Sequence, residues 1–274
     1  MTTIRVAAVQ MTSGPDREAN LAEAAEHVAA AAGAGAELVA LPELVSVLGR
    51  RADLVAAAEP LAGPTTARAA EEARRHGVWL VAGSFVERHD DGRLTNTSCL
   101  VSPTGDLVAT YRKIHLFDVD VPGAEYRESS TFAPGEDVVV ADAGPLRVGM
   151  AVCYDLRFPE LFRILALRGA TVVVLPSAFT ARTGPAHWEV LVRARAVEDQ
   201  VFVVAPGQCG TSPGALAWHG HSLVVDPWGT VLADGGDRPG HVVADLDLDR
   251  LADVRARLPS LANRRPTTYR WPGP

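Results

Sequence analysis

Apolar residues along this chain fall into short runs of strand length, separated by longer segments with helical spacing. Ile4 to Gln10 is a compact apolar run and predicts a first strand. From Asp16 to Ala32 the positions Leu21, Ala24, Ala25 and Val28 recur at helical spacing, and Gly33 stops the segment. Residues 38–41 read as a second buried strand, 65–76 as a second helix closed by Gly77, and 78–82 as a third strand. The pattern then changes. Residues 94–101 and 107–112 flank Ser102-Pro103-Thr104-Gly105, a turn signal that predicts an antiparallel hairpin and therefore a mixed sheet. Residues 118–135 read as an irregular loop of a length that is usually functional or disordered. After it come a strand ending at Cys153, a helix over 157–168, a strand over 171–175, a helix over 187–199 and a strand over 201–205. Short strands across 222–246 are joined by Pro227-Trp228-Gly229 and Asp234-Gly235-Gly236, and a short helix and an Arg/Pro-rich tail follow. Alternating strands and helices with inserted hairpins predict α/β layering, with helices covering mixed sheets. No linker or short-period repeat interrupts this order. The expectation is one domain over residues 1–254 and a tail, 255–274, that reaches over a neighbouring subunit.

Composition narrows the class. With 47% hydrophobic and 22% charged residues in 274, the chain has the makeup of a globular protein. Its net charge of −7, with Lys and Arg scattered, argues against nucleic acid or an anionic membrane surface as partner. No apolar stretch approaches the ~18 residues of a membrane span, and the N-terminus runs into a strand pattern without a signal-peptide profile. Cys99, Cys153 and Cys209 are too few and too scattered for a disulfide framework or a zinc ribbon, and an odd count fits a cytoplasmic protein. Asn96-Thr97-Ser98 matches a glycosylation acceptor, which a cytoplasmic chain would not use.

The candidate chemistry centres on Cys153. It ends the apolar run Val148 to Val152 and is followed by Tyr154-Asp155-Leu156-Arg157-Phe158-Pro159-Glu160, which reads as a strand turning into a helix. A thiol on such a turn lies at the strand's carboxyl edge, near the positive end of the helix behind it. The alternative is a plain buried cysteine. Two other residues share the setting. Glu43 directly follows a buried strand, and Lys113 ends the hairpin strand. Open α/β sheets bind ligands at the carboxyl ends of their strands, where a carboxylate, an ammonium and a thiol can converge. Taken singly, Glu43 reads equally as a first-turn helix carboxylate, and Lys113 as a solvated edge-strand charge.

Taken together, these stretches resemble the nitrilase superfamily of carbon–nitrogen hydrolases from Val6 to Tyr269. The likeness is carried by Leu41-Pro42-Glu43, Tyr111 to Phe117, Glu128 to Thr131, Pro134-Gly135, Cys153 to Glu160, Thr183 to Glu189, Gly220-His221-Ser222 and Val225 to Gly229. The resemblance implies a four-layer αββα sandwich with two mixed sheets. It also implies a Glu43–Lys113–Cys153 triad, with Glu128 as a second carboxylate beside the lysine, in a long loop bent into the site. Under it, Glu43 deprotonates Cys153, the thiolate attacks an amide carbonyl, and Lys113 with the Tyr154 N–H holds the oxyanion. Ammonia leaves, and water hydrolyses the thioester without cofactor or metal. The family pattern further implies a homodimer or higher homo-oligomer.

Within the superfamily the chain is similar to the omega-amidase and deaminated-glutathione amidase branch. Phe117 to Gly123 follows the first pattern, while Ser177-Ala178-Phe179, Arg193 to Ala196 and Gln208-Cys209-Gly210 follow the second. Phe117, Phe179, Thr183 and His187 are candidate substrate contacts, and Arg182 is the candidate partner for a substrate carboxylate. Asp155 and Arg157 are expected to lock the nucleophile turn by ion pairing. His219, and the short loop Thr211-Ser212-Pro213-Gly214, depart from the pattern. The competing readings are an N-carbamoyl amino acid hydrolase of the same superfamily, a metal-dependent amidohydrolase using His219 and His221 at i, i+2 on a strand, and a non-catalytic interaction module.

Overall fold

The computed structural model describes residues 2–121, 124–212 and 217–268. Two mixed sheets stack face to face, and helices cover both outer faces. The first sheet runs in the order Ala217–His219, Gly207–Thr211, Thr3–Met11, Leu38–Ala40, Trp79–Val81, Leu94–Val101, Phe85–Arg88; Gly240–Asp247 also pairs with Thr3–Met11, and Leu107–Arg112 with Leu94–Val101. The second runs Val231–Asp234, Leu223–Val225, Phe202–Ala205, Val172–Val174, Leu146–Met150, Val140–Ala143. Thr3–Met11 illustrates why both faces are apolar. Val6 and Ala8 pack into the space between the sheets, and Ala7, Val9 and Met11 pack against the outer helices. A strand buried on both faces loses the polar alternation of a surface strand, which is why it read as a continuous apolar run.

Helix Arg17–Gly33 starts where the Asp16 side chain accepts from the Ala19 N–H, and helix Pro64–His76 starts at its proline and ends at Gly77 in the left-handed region. These two cover the first sheet through Ala24, Val28, Ala31, Ala69 and Ala73. Helices Pro159–Leu167 and Gly184–Asp199 cover the second through Leu161, Phe162, Leu165, Trp188 and Val192. Each fully buried aliphatic side chain in these layers stabilises the fold by roughly 1.5–3 kcal/mol.

The sandwich is the one expected, with local differences. Residues 118–135 are not structureless: they hold the hairpin Asp118–Val121 with Ala124–Arg127 and a helical turn, Glu128–Ser130. Strand Phe85–Arg88 and helix Arg51–Ala56 were not predicted; each is short, and the helix buries no residue. Cys209 lies on strand Gly207–Thr211, which was also not predicted. Helix Leu248–Arg257 runs through the boundary drawn at residue 254, and Arg255 donates to the backbone oxygens of Gln200 and Ala170. Pro122-Gly123, the end of the short loop at Pro213-Gly214, and the tail beyond residue 268 lie outside the described residues.

Parallel neighbours send their carboxyl ends to one edge of each sheet. The chain leaving Ala40 reaches Glu43, the chain leaving Met150 reaches Cys153, and the chain leaving Val174 reaches Ala178 and Phe179. That edge is where the site lies.

Candidate active site

The ends of four strands supply a buried charged cluster. Lys113, 2% exposed, directly follows strand Leu107–Arg112. Its Nζ donates to Glu43 Oε1 at 2.9 Å and to both Glu128 oxygens at 3.0 and 2.8 Å. Asn96, fully buried on strand Leu94–Val101, donates through Nδ2 to Glu43 Oε1 at 2.9 Å and to Glu128 Oε1 at 3.3 Å. The Ala178 N–H donates to Glu43 Oε2 at 2.8 Å, and the Phe117 N–H to Glu128 Oε2 at 2.6 Å. Each carboxylate is thus compensated by an ammonium and by amide donors, as buried charges require.

Cys153 is 8% exposed and has φ of +45°, a left-handed conformation that costs a side-chain-bearing residue about 1–3 kcal/mol. Its N–H donates to the Pro176 oxygen at 2.9 Å, and its thiol lies within electrostatic reach of the Glu43 carboxylate and the Lys113 ammonium. Asp155, with no exposure, holds this turn. It accepts from the Val152 N–H at 2.8 Å, from the Tyr111 hydroxyl at 2.7 Å and from the His115 N–H at 3.1 Å, and it pairs with His115 Nδ1 at 2.7 Å. One carboxylate therefore ties the thiol's turn to the strand that ends at Lys113. It does so through Tyr111 and His115, not through the expected ion pair with Arg157. Only a five-residue helical turn, Cys153–Arg157, follows the thiol, and the longer helix begins at Pro159. The thiol is governed by side-chain charges rather than by a long helix dipole.

Burial and those charges together set its protonation. Burial pushes the Cys153 thiol well above the usual thiol range; Glu43 adds to this, and Lys113 opposes without reversing it. Burial alone would depress the Lys113 ammonium, but Glu128, Glu43 and Cys153 raise it well above the usual lysine value. The resting state is a neutral thiol beside an ammonium held between two carboxylates.

Two glycines fix the approach of the catalytic candidates. A Cβ on Gly83, whose φ is +59°, would lie 2.1 Å from the oxygen of Pro42, the residue before Glu43. A Cβ on Gly135 would lie 2.1 Å from the oxygen of Arg112, the residue before Lys113.

A cavity of about 420 Å³ opens over the thiol. Glu43, Lys113, Glu128, Cys153, Tyr154, Phe117, Phe179 and Thr183 all line it, as the sequence suggested. Arg182 and His187 do not. Arg182 is exposed outside the lining, and His187 instead contacts Arg157. Arg51, Arg127 and Arg157 also line it and were not expected there. Arg51 is held by Thr131 Oγ1 and the Ser130 oxygen. Arg157 has its guanidinium carbon 5.3 Å from the Phe179 ring centre and 5.8 Å from that of Tyr154, and it has no carboxylate partner among the described residues. Its spacing four residues after the thiol was the available signal. Asn96 was missed too, because its motif suggested glycosylation. His219 lies on strand Ala217–His219, but His221 falls beyond it with φ of +53° and pairs with Asp234 at 3.0 Å. Their rings stack at 4.8 Å, but among the described residues they belong to no group of three or more potential metal ligands, and neither lines the cavity.

A two-sheet sandwich with a Glu, a Lys and a Cys converging at its strand ends defines a class of thiol-dependent hydrolases. The sequence model of the family described as "Carbon-nitrogen hydrolase" matches residues 5–256, and the chain belongs to this family. It is a hydrolase acting on non-peptide carbon–nitrogen bonds. It is 46% identical to the deaminated glutathione amidase of Homo sapiens over 96% of this chain and 83% of that protein. It is 40% identical to Omega-amidase NIT2 of Homo sapiens over 98% of each. The crystal structure of the C. elegans NitFhit protein superposes with a TM-score of 0.91 at 35% identity, covering 98% of this chain and 66% of that one.

Two outcomes follow from this geometry. Gly135→Ala should lower kcat by roughly 10–100-fold in a soluble, folded protein, because Lys113 is displaced; unchanged kcat would refute the packing argument. The thiolate ultraviolet absorbance of the wild type minus Cys153→Ala should show no ionisation step near the ordinary thiol pKa of ~8.5. A step at or below that pH would mean the thiolate is preformed.

Proposed function

We propose that the protein is an amidase that cleaves the terminal amide of a small carboxylate-bearing acid through a thioester on Cys153. The reading rests on one observation: the thiol, the Glu43 carboxylate and the Lys113 ammonium share a cavity whose wall carries Arg157, a cation with no carboxylate partner among the described residues. Glu43 takes the Cys153 proton as sulfur bonds to the carbonyl carbon, so no free thiolate accumulates. Such general-base assistance contributes ~10²–10⁴-fold. Lys113 Nζ and the Tyr154 N–H face the developing oxyanion, and each such donor is worth roughly 3–4 kcal/mol. Glu43 returns the proton to the leaving nitrogen, then activates the water that opens the thioester. Glu128 keeps Lys113 charged and in place. Arg157 takes the substrate carboxylate, the role first assigned to Arg182.

The relatives named for deaminated glutathione and for omega-amides support two acyl-equivalent substrates. They differ in the leaving group. An omega-amide releases ammonia, whereas deaminated glutathione, whose scissile nitrogen belongs to a dipeptide, releases an amine. The cavity has room for either. The buried free thiols Cys99, Cys153 and Cys209 suit a reducing cytoplasm.

Ammonia and free amine should be measured together over omega-amides of 2-oxo acids, deaminated glutathione, nitriles and N-carbamoyl amino acids. Hydrolysis of the first two, abolished in Cys153→Ala and reduced at least ~100-fold in Glu43→Gln, is expected. Activity surviving in Cys153→Ala would refute the mechanism, and carbon dioxide released with ammonia would favour the carbamoyl reading.

We also infer a homodimer packed through helices Pro159–Leu167 and Gly184–Asp199, whose outward faces expose Ile164, Leu167, Val190 and Val197. Sedimentation should give twice the mass of one chain, falling to one chain in the double variant Val190→Asp, Val197→Asp; a monomeric wild type would refute it.

A further inference from the structure

Arg157 has no carboxylate partner among the described residues. Its Nη1 and Nη2 both lie 3.2 Å from His187 Nδ1, in the first turn of helix Gly184–Asp199. A guanidinium has only donors, so Nδ1 must offer its lone pair. The imidazole in this arrangement is neutral, with its proton on Nε2. Both terminal nitrogens share this one acceptor, which uses one edge of the fork and leaves N–H groups for an anion in the cavity. The faces of Phe179 and Tyr154 flank the guanidinium carbon at 5.3 and 5.8 Å.

From this arrangement we infer that His187 is a positioning residue for substrate-carboxylate recognition: its neutral Nδ1 aims the Arg157 guanidinium into the cavity without neutralising it. An aspartate or glutamate in its place would hold the arginine equally well, but it would cancel the charge that the substrate must find. A neutral acceptor fixes direction and leaves the full positive charge available. It also removes rotamer freedom before binding, so less ordering is left for the substrate to impose. The pair joins the two elements that frame this wall, the nucleophile turn Cys153–Arg157 and the helix starting at Gly184. The inference rests on the reading of Arg157 as the carboxylate contact.

Steady-state kinetics on two primary amides tests it: succinamate, which carries a carboxylate, and butyramide, which does not. The wild type should prefer succinamate, and Arg157→Met should erase the preference. His187→Phe should raise KM for succinamate ~10-fold with kcat within about twofold, and leave butyramide hydrolysis unchanged. His187→Asn, whose Oδ1 can accept near the position of Nδ1, should restore KM to within about threefold of the wild type. Unchanged butyramide turnover certifies the fold and the thiol chemistry in the two His187 variants, and an unchanged thermal unfolding midpoint certifies the fold of Arg157→Met. If the preference vanishes in Arg157→Met but survives in His187→Phe, the role of His187 is overturned while the carboxylate reading stands. If the wild type shows no preference for succinamate, the carboxylate reading fails and this inference fails with it. Equal loss on both amides in His187→Phe, unrelieved in His187→Asn, would mark His187 as merely structural and overturn the proposal.

Discussion

The ammonium of Lys113, held out of water between Glu43 and Glu128, is the interaction on which the rest of the site depends. A lysine this buried is tolerated only with opposite charge in contact. Two carboxylates hold it, and burial, with Glu43 adding, keeps the neighbouring thiol neutral. That neutrality decides the division of labour. Cys153 supplies the nucleophilic atom, Glu43 supplies the basicity, and Lys113 supplies a fixed positive charge that needs no reorganisation when an oxyanion forms. Removing either carboxylate would change the charge of the whole cluster, so its members form one unit rather than a set of separable contributions.

The fold exists around that cluster as a problem of register. Glu43 and Lys113 come from the first sheet and Cys153 from the second, so their separation is set by how the sheets stack. Asp155 fixes the stacking locally by binding both the thiol's turn and Tyr111 beside Lys113. Gly83 and Gly135 let backbone pass within a Cβ's width of the residues preceding Glu43 and Lys113. The loop carrying Glu128 is ordered for the same reason: its carboxylate is bound by Lys113, Asn96 and the Phe117 N–H, which offsets the entropy of fixing it.

Arg157 completes the division between chemistry and recognition. The inner cluster holds its charges in mutual contact, whereas Arg157 rests on a neutral acceptor and two aromatic faces. Its charge is available to a ligand, and that of Lys113 is already committed. A cavity with a committed cation at the reacting bond and Arg157 on its wall suits a substrate whose amide and carboxylate lie a few bonds apart.

The chain alone determined the layers and the inner cluster. Buried strands announce themselves as apolar runs because both faces are covered. Glu43, Lys113 and Cys153 are legible because each follows such a run directly, inside a multi-residue pattern. Only the tertiary structure decided the partners. Asp155 bonds to Tyr111 on the other sheet and to His115 in the loop after it, 44 and 40 residues away, and not to Arg157 two residues on. Arg157 turns to His187, Asn96 turns from an apparent surface motif into a buried donor, and Arg182 is exposed and does not line the cavity it was expected to enter. Local spacing fixes which element a polar side chain sits on. Its direction and partner are set by burial against segments distant in sequence, where an unpaired charge costs several kcal/mol and every neighbour contributes to where it is satisfied.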